Sequence, residues 1–308
     1  MTTNAIQSSH IYSTYFAPRG RSRIYTLGMQ IAQLYLSPFD QIIGFIGEAG
    51  SGKSVLIKGM FPGIELTNDD DGVNVRPLPL LEQEYETGFF TPHTYHLDIR
   101  FETGFHQLSE LADAVRLAVR RGKRIIIEHF DLIYPLLGVN ANLLIGVGEQ
   151  IVITRPNLFG PLPQDLCDIV YPSLAYRLMA HSAEDLCEYA MTQEQMLACS
   201  HGDIRHGFVL EFNEHQPDID IPTLEARVNE LIRADLPIDY YDESHILLGG
   251  VQHYCTGPRT HVRSTGRIIG FRLLDHFIYD HFHKTYMLVG CVGDDSEENI
   301  RKLETIHG

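Results

Sequence analysis

The stretch "IIGFIGEAGSGKSVLIKGMF", residues 42–61, limits the fold more than any other part of the chain. Within it Gly47 to Ser54 spells G-x-x-x-x-G-K-S, after an apolar run suited to a buried parallel strand and before a segment that reads as a helix. Strand, glycine-rich turn and helix in that order let backbone N–H groups and a helix N-terminus surround phosphate oxygens. The expected nucleotide-binding residues are Gly47, Glu48, Ala49, Gly50, Ser51, Gly52, Lys53, Ser54 and Val55. Lys53 is expected to reach the β and γ phosphates and the Ser54 hydroxyl to hold Mg²⁺. No base-reading motif stands out, so the nucleotide is ATP or GTP.

The surrounding pattern is α/β. In "SRIYTLGMQIAQLYL", residues 22–36, Ile24, Leu27, Ile31 and Leu34 recur at helical spacing and Pro38 closes the run. Residues 67–81 are turn-rich and read as loop. Beyond them "HTYHLDIRF" reads as a strand, "QLSELADAVRLAVRRG" as a helix with Gly122 just past its end, and "KRIIIEHF" as a strand. A helix over about 131–139 and the strand "EQIVITRP" follow. Asp98 and Glu128 stand at strand ends, where α/β sheets bind ligands, and either can hold Mg²⁺ or orient an attacking nucleophile.

A chain of 308 residues fits two domains of roughly 150 residues each. The segment "RPNLFGPLPQD" reads as the linker, which puts the domains at 1–160 and 170–308. The second half carries a helical pattern from 174 to about 197 and the strand "HGFVLEF". Next come "PTLEARVNELIRADL", with Leu224, Val228, Leu231 and Ile232 on one face, and strand-like runs to the end. That segregation is an α+β pattern.

In this half "CTGPRTHVRSTGRIIGF", residues 255–271, sets Cys255 and His261 around a Gly-Pro turn. Upstream, "HSAEDL" places His181 and Asp185 four apart, on one helix face. Imidazole, carboxylate and thiolate are competent zinc ligands, and four of them make the tetrahedral site zinc prefers. His201, His206, His276, His281 and His283 are further imidazoles, read as surface or satisfied core groups. The five cysteines are scattered, which argues against a disulfide framework and for a reducing, cytoplasmic setting. No apolar run approaches the roughly 18 residues of a membrane helix. A net charge of −16 repels nucleic acid overall, so any RNA contact is local. The basic run Arg116, Arg120, Arg121, Lys123 and Arg124 reads as a solvated helix end.

Two resemblances follow. The order "TLGMQIAQLY", "IIGFIGEAGSGKSVLIKGMFPGI", "YHLDIRF" and "IIIEHFD" resembles the small bacterial P-loop ATPase of tRNA threonylcarbamoyladenosine biosynthesis, over about residues 24–131. This implies Asp98 as the Mg²⁺ partner beside Ser54 and Glu128 as the hydrolytic residue acting with Lys53. "CTGPRTHVRSTGRIIGFRLL", preceded by "HSAEDL", "HGFVLEFN" and "PTLEARVNELI", resembles the second additional domain shared by alanyl- and threonyl-tRNA synthetases, over about residues 174–274. This implies a zinc ion held by His181, Asp185, Cys255 and His261, which helps position the 3′ end of a mischarged tRNA for ester hydrolysis. Here Asp185 stands where the family has its second helical histidine, and two additional residues lie between Cys255 and His261.

The expected fold is thus an α/β P-loop NTPase domain, with a mostly parallel sheet flanked by helices, followed by an α+β synthetase-like domain. The expected function is nucleotide hydrolysis coupled to an editing-like zinc domain acting on aminoacyl-tRNA or a tRNA-related substrate. Two alternatives stand beside it. One is a small-molecule P-loop kinase, with Arg155 or the basic run over the phosphates. The other is a non-catalytic, nucleotide-gated binding module.

Overall fold

The computed structural model describes residues 12–66, 80, 94–213 and 215–307, so the turn-rich segment expected over 67–81 lies, except for residues 80, outside them. The chain divides into two compact units: Met1–Ala17 with Arg21–Pro172, and Pro18–Gly20 with Ser173–Gly308.

The first unit is mixed α/β. Its strands are β1 (Ser13–Phe16), β2 (Ile42–Ile46), β3 (Thr94–Asp98), β4 (Arg124–Glu128), β5 (Leu143–Val147) and β6 (Gln150–Thr154). They form a six-stranded sheet in the order β1-β6-β5-β2-β4-β3. β5, β2, β4 and β3 pair in parallel, while β6 and β1 add antiparallel. Helices α1 (Arg21–Tyr35), α2 (Lys53–Met60), α3 (Ile99–Glu102), α4 (Leu108–Arg120) and α5 (Phe130–Leu137) connect the strands. Side chains on successive strand positions face opposite ways. Ile43 and Phe45 of β2 therefore pack with Ile31, Leu56 and Ile57, while Ile42 and Ile46 pack with Leu111, Val115 and Phe130. Both faces of the sheet are buried, which accounts for the continuous apolar runs of β2, β4 and β5.

Three local expectations change. The run "HTYHLDIRF" is a strand only as far as Asp98, because the Asp98 carboxylate accepts the Phe101 N–H and so caps α3. β5 and the edge strand β1 had no counterpart in the reading of the sequence; "LLIGV" is a short apolar run without diagnostic periodicity. The proline-rich segment is in part helix, since α6 (Pro163–Ala190) begins inside it, and proline suits a first helical turn.

Within the second unit α6 continues to Ala190 rather than to residue 197. Thr192 and Gln195 form a capping box that starts a separate α7 (Gln193–Ala198). There follow β7 (Cys199–Ile204), β8 (Gly207–Asn213), α8 (Ile221–Arg233), β9 (Ile238–Asp242), β10 (His245–Leu248) and β11 (Val251–Tyr254). After these come β12 (Arg272–Leu273), β13 (Ile278–Asp280), β14 (Thr285–Cys291) and α9 (Ser296–His307). One antiparallel sheet runs β12-β14-β8-β7 with β13 on β14, and a second runs β11-β10-β9. Ala183, Leu186 and Cys187 of α6 share a core with Phe208, Leu210, Phe212, Leu224 and Leu288. The strand-like reading of the C-terminal stretch fails at α9, where Glu297 pairs with Arg301 and Glu298 with Lys302 at helical i,i+4 spacing. Among the described residues no helix is long and apolar enough to cross a membrane.

Candidate functional site

In the first unit the loop between β2 and α2 is built on left-handed backbone: Gly50 has φ 80° and Gly52 has φ 96°. A side chain at either would strain this turn. Lys53 folds back over it, donating to the carbonyls of Gly47 at 2.9 Å and Glu48 at 2.8 Å. Ser54, on the first turn of α2, donates its hydroxyl to Glu128 Oε1 at 3.1 Å. The same oxygen lies 3.1 Å from His96 Nε2, and Glu128 Oε2 is 3.8 Å from Lys53 Nζ. Glu128 and Asp98 are register neighbours at the C-terminal ends of β4 and β3, so the parallel sheet itself brings the two carboxylates together.

The electrostatics follow from burial. Lys53 is 4% exposed, and desolvation lowers its pKa against the pull of Glu128 and Asp98. Burial, and then the charge of Glu128, raises Asp98. Burial acts on Glu128 in the same direction, but His96, Lys53 and Ser54 outweigh it, so the Glu128 carboxyl is held below the usual range and is ionised at neutral pH. The residue after it, His129, has φ 57° and caps α5. Burial, with Lys53 and Arg100 adding to it, pushes His129 down to about 4, and its Nδ1 has no hydrogen-bond partner. The sequence reading passed over His96, His129 and Arg100, which pairs with Glu48 at 2.9 Å. Their positions just before and after Asp98 and Glu128 are the available signal.

Three of the arginines offered for a kinase are engaged elsewhere. Arg155 grips Asp40 with both guanidinium nitrogens, at 2.7 and 2.8 Å. Asp40 precedes β2, whereas the glycine-rich loop follows it. Arg124 donates to the carbonyls of Asp40 and Ser37, and Arg116 to Asp113 and the Leu136 carbonyl.

In the second unit Asp185 of α6 meets Cys255 and His261 from the turn after β11, their ligand atoms all within 4.8 Å of one another. His261 Nε2 lies 2.6 Å from Asp185 Oδ2. His181, the fourth expected ligand, is not in this group; it faces Asp203 of β7, with Nε2 3.7 Å from Oδ1. At the centre is a residue the sequence reading did not single out, Arg19, which is 2% exposed. Its guanidinium binds Glu184 and Asp185 and lies 3.1 Å from Cys255 Sγ and 3.5 Å from His261 Nε2. Gly257 makes room for it, since a Cβ there would stand 2.8 Å from Arg19 Cγ. Burial opposes charge on Asp185, but Arg19 and His261 prevail and hold its carboxyl well below the usual range. Burial pushes Glu184 up to about 8 despite Arg19, and pushes the Cys255 thiol up to about 12. Three of the four expected zinc ligands, Asp185, Cys255 and His261, are thus brought together with the Arg19 guanidinium among them, while the fourth, His181, faces Asp203. Arg19 lies 166 residues from Asp185 in a "PRG" tripeptide with no pattern of its own, so nothing in the sequence announces the contact.

Neither protein-family models nor curated proteins give a match to the chain.

Proposed function

We propose that the protein is a nucleotide-dependent hydrolase: a first unit with a P-loop NTPase fold binds ATP or GTP with Mg²⁺, and a synthetase-like second unit handles an aminoacyl-tRNA or a related tRNA ester. The observation that carries the first part is the convergence of Lys53, Ser54 and Glu128 behind the glycine-rich loop. The site fits the group. A Cβ at Gly50 would meet nothing within 4 Å, so that side of the loop is open, and Ser54, Glu128 and Asp98 are hard oxygen donors of the kind Mg²⁺ takes. When bound, Mg²⁺ supplies charge neutralisation at the phosphate oxygens. Lys53 exchanges its two carbonyl acceptors for phosphate oxygens, an exchange favoured by its partial desolvation. Glu128, ionised and held by His96, accepts a proton from or orients the attacking water.

The second part rests on the synthetase-like motifs. Asp185, Cys255 and His261 come from segments far apart in sequence and meet at one buried point, with Arg19 supplying the positive charge there.

Calorimetric titration of ATP and GTP with Mg²⁺, paired with a phosphate-release assay, tests the first part. The wild type binds and hydrolyses one of them and Lys53→Ala does neither; equal binding by that variant would overturn the assignment. Incubation with mischarged alanine- and threonine-type tRNAs tests the second, and ester bonds retained both with and without nucleotide would refute it.

A further inference from the structure

The polar face of α6 does not end at Asp185. His181, Glu184, Asp185 and Glu188 recur at i, i+3, i+4 and i+7, which places all four on one helix face, and all four are buried. β7 meets this face with its own alternating set. Cys199, His201 and Asp203 lie two apart and so share one side of the strand. Asp203 lies 3.7 Å from His181, one end of the contact, while Cys199 and His201 reach Glu188 at the other. Cys199 Sγ is 3.7 Å and His201 Nε2 2.5 Å from Glu188 Oε1, and the three ligand atoms lie within 4.8 Å of one another. β11 completes the surroundings with His253, 8% exposed, whose Nε2 has no hydrogen-bond partner and lies 3.9 Å from Glu188 Oε2.

We propose that Glu188, Cys199 and His201 form a zinc site, with His253, which lies within 4.8 Å of Glu188 and Asp185, drawn in as the fourth ligand beside the Asp185–Cys255–His261 cluster that holds Arg19. One thiolate, two imidazoles and one carboxylate form a donor set of the right number and softness for Zn²⁺. An ion here accounts for three features: an unpartnered buried imidazole, a carboxylate pressed against a ring nitrogen, and a thiol beside that carboxylate in place of an apolar side chain. It also explains why the polar stripe on α6 is one turn longer than Arg19 needs. Cys199 and His201 are partly exposed, so an ion has access from solvent. Cys199 must release its proton to bind, so metal uptake rises with pH.

The test uses the full chain, stripped with chelator and reloaded with Co²⁺ in place of Zn²⁺. The wild type and Cys255→Ser both show the thiolate-to-cobalt charge-transfer band and the intense visible bands of a tetrahedral site. Cys199→Ser loses the charge-transfer band, and His253→Gln loses the tetrahedral intensity. A wild-type protein without the band, or a band lost in Cys255→Ser and kept in Cys199→Ser, overturns the proposal. A second measurement needs no variant: in wild-type protein alkylated with iodoacetamide and mapped by mass spectrometry, Zn²⁺ protects Cys199. Equal labelling of Cys199 with and without Zn²⁺ also overturns it. Both readouts are independent of nucleotide and tRNA, so failure here leaves the proposed hydrolase untouched.

Discussion

Replacing Arg19 by methionine keeps most of the apolar stem and deletes the guanidinium. A buried carboxylate then loses its cation. Asp185 keeps only His261 at 2.6 Å, while Glu184, pushed up to about 8 by burial, already holds its proton at neutral pH. Removing one partner of a buried ion pair costs about 3–5 kcal/mol. With a urea m-value of about 2 kcal/mol/M, the midpoint for the second unit should fall by about 1.5–2.5 M. The assay is pulse labelling of thiols against urea. Cys187 and Cys291 are both 0% exposed and lie in the second unit, so their labelling reports its opening. Adding Glu184→Gln and Asp185→Asn to Arg19→Met should recover much of the loss, because a cluster neutralised as a whole leaves no buried charge unpaired. A midpoint shift below about 0.5 M for Arg19→Met, equivalent to about 1 kcal/mol, would refute the guanidinium as the organising cation.

Glu128→Gln should lower nucleotide hydrolysis by on the order of 10²–10⁴ while binding persists, as measured by phosphate release beside calorimetry; unchanged turnover removes the residue from the mechanism. His129→Gly should be more stable than His129→Ala by about 1 kcal/mol in urea unfolding, because both lose the ring but only glycine relieves the positive φ; the opposite order would contradict the left-handed backbone there. Stability should fall above about pH 6.5 in chelator-treated protein. Above that pH, Glu184 and Glu188, pushed up to about 8 and about 7 by burial, hold protons that the unfolded chain has released, so stability falls as pH rises towards 8. Below it, the protons that the unfolded chain takes up on histidine, which His181 and His129, pushed down to about 3 and about 4, do not bind, are offset by those that Glu184 and Glu188 hold, so the curve is flat down to about pH 4.5. Urea midpoints that climb from pH 6.5 to 8 would show the signs to be wrong.

Local pattern carried most of the first unit. The helix 21–35, the strands around "IIGFI" and "RIIIE", and the loop between β2 and α2 follow from hydrophobic period and from glycines at turns. Asp98 and Glu128 were legible as strand-end carboxylates because a parallel strand buried on both faces can place a charge only where it leaves the sheet. β5 was not legible, since an apolar pentapeptide with a glycine has no period to read. In the second unit the helical spacing of His181, Asp185 and their neighbours was visible, and the synthetase-like motifs implied the meeting of Asp185 with Cys255 and His261, but not that of His181 with Asp203 or the entry of Arg19. Spacing puts residues on one face of α6 and says nothing about what crosses that face. Long-range packing supplied the rest: Asp203 to His181, Arg19 to Asp185, and Cys199, His201 and His253 to Glu188. The sequence by itself therefore determined which side chains lie along a common edge or face, because backbone geometry repeats at fixed intervals. Only the tertiary structure decided which cation each buried carboxylate would hold, because that choice depends on segments as much as 166 residues apart meeting in a space from which water is excluded.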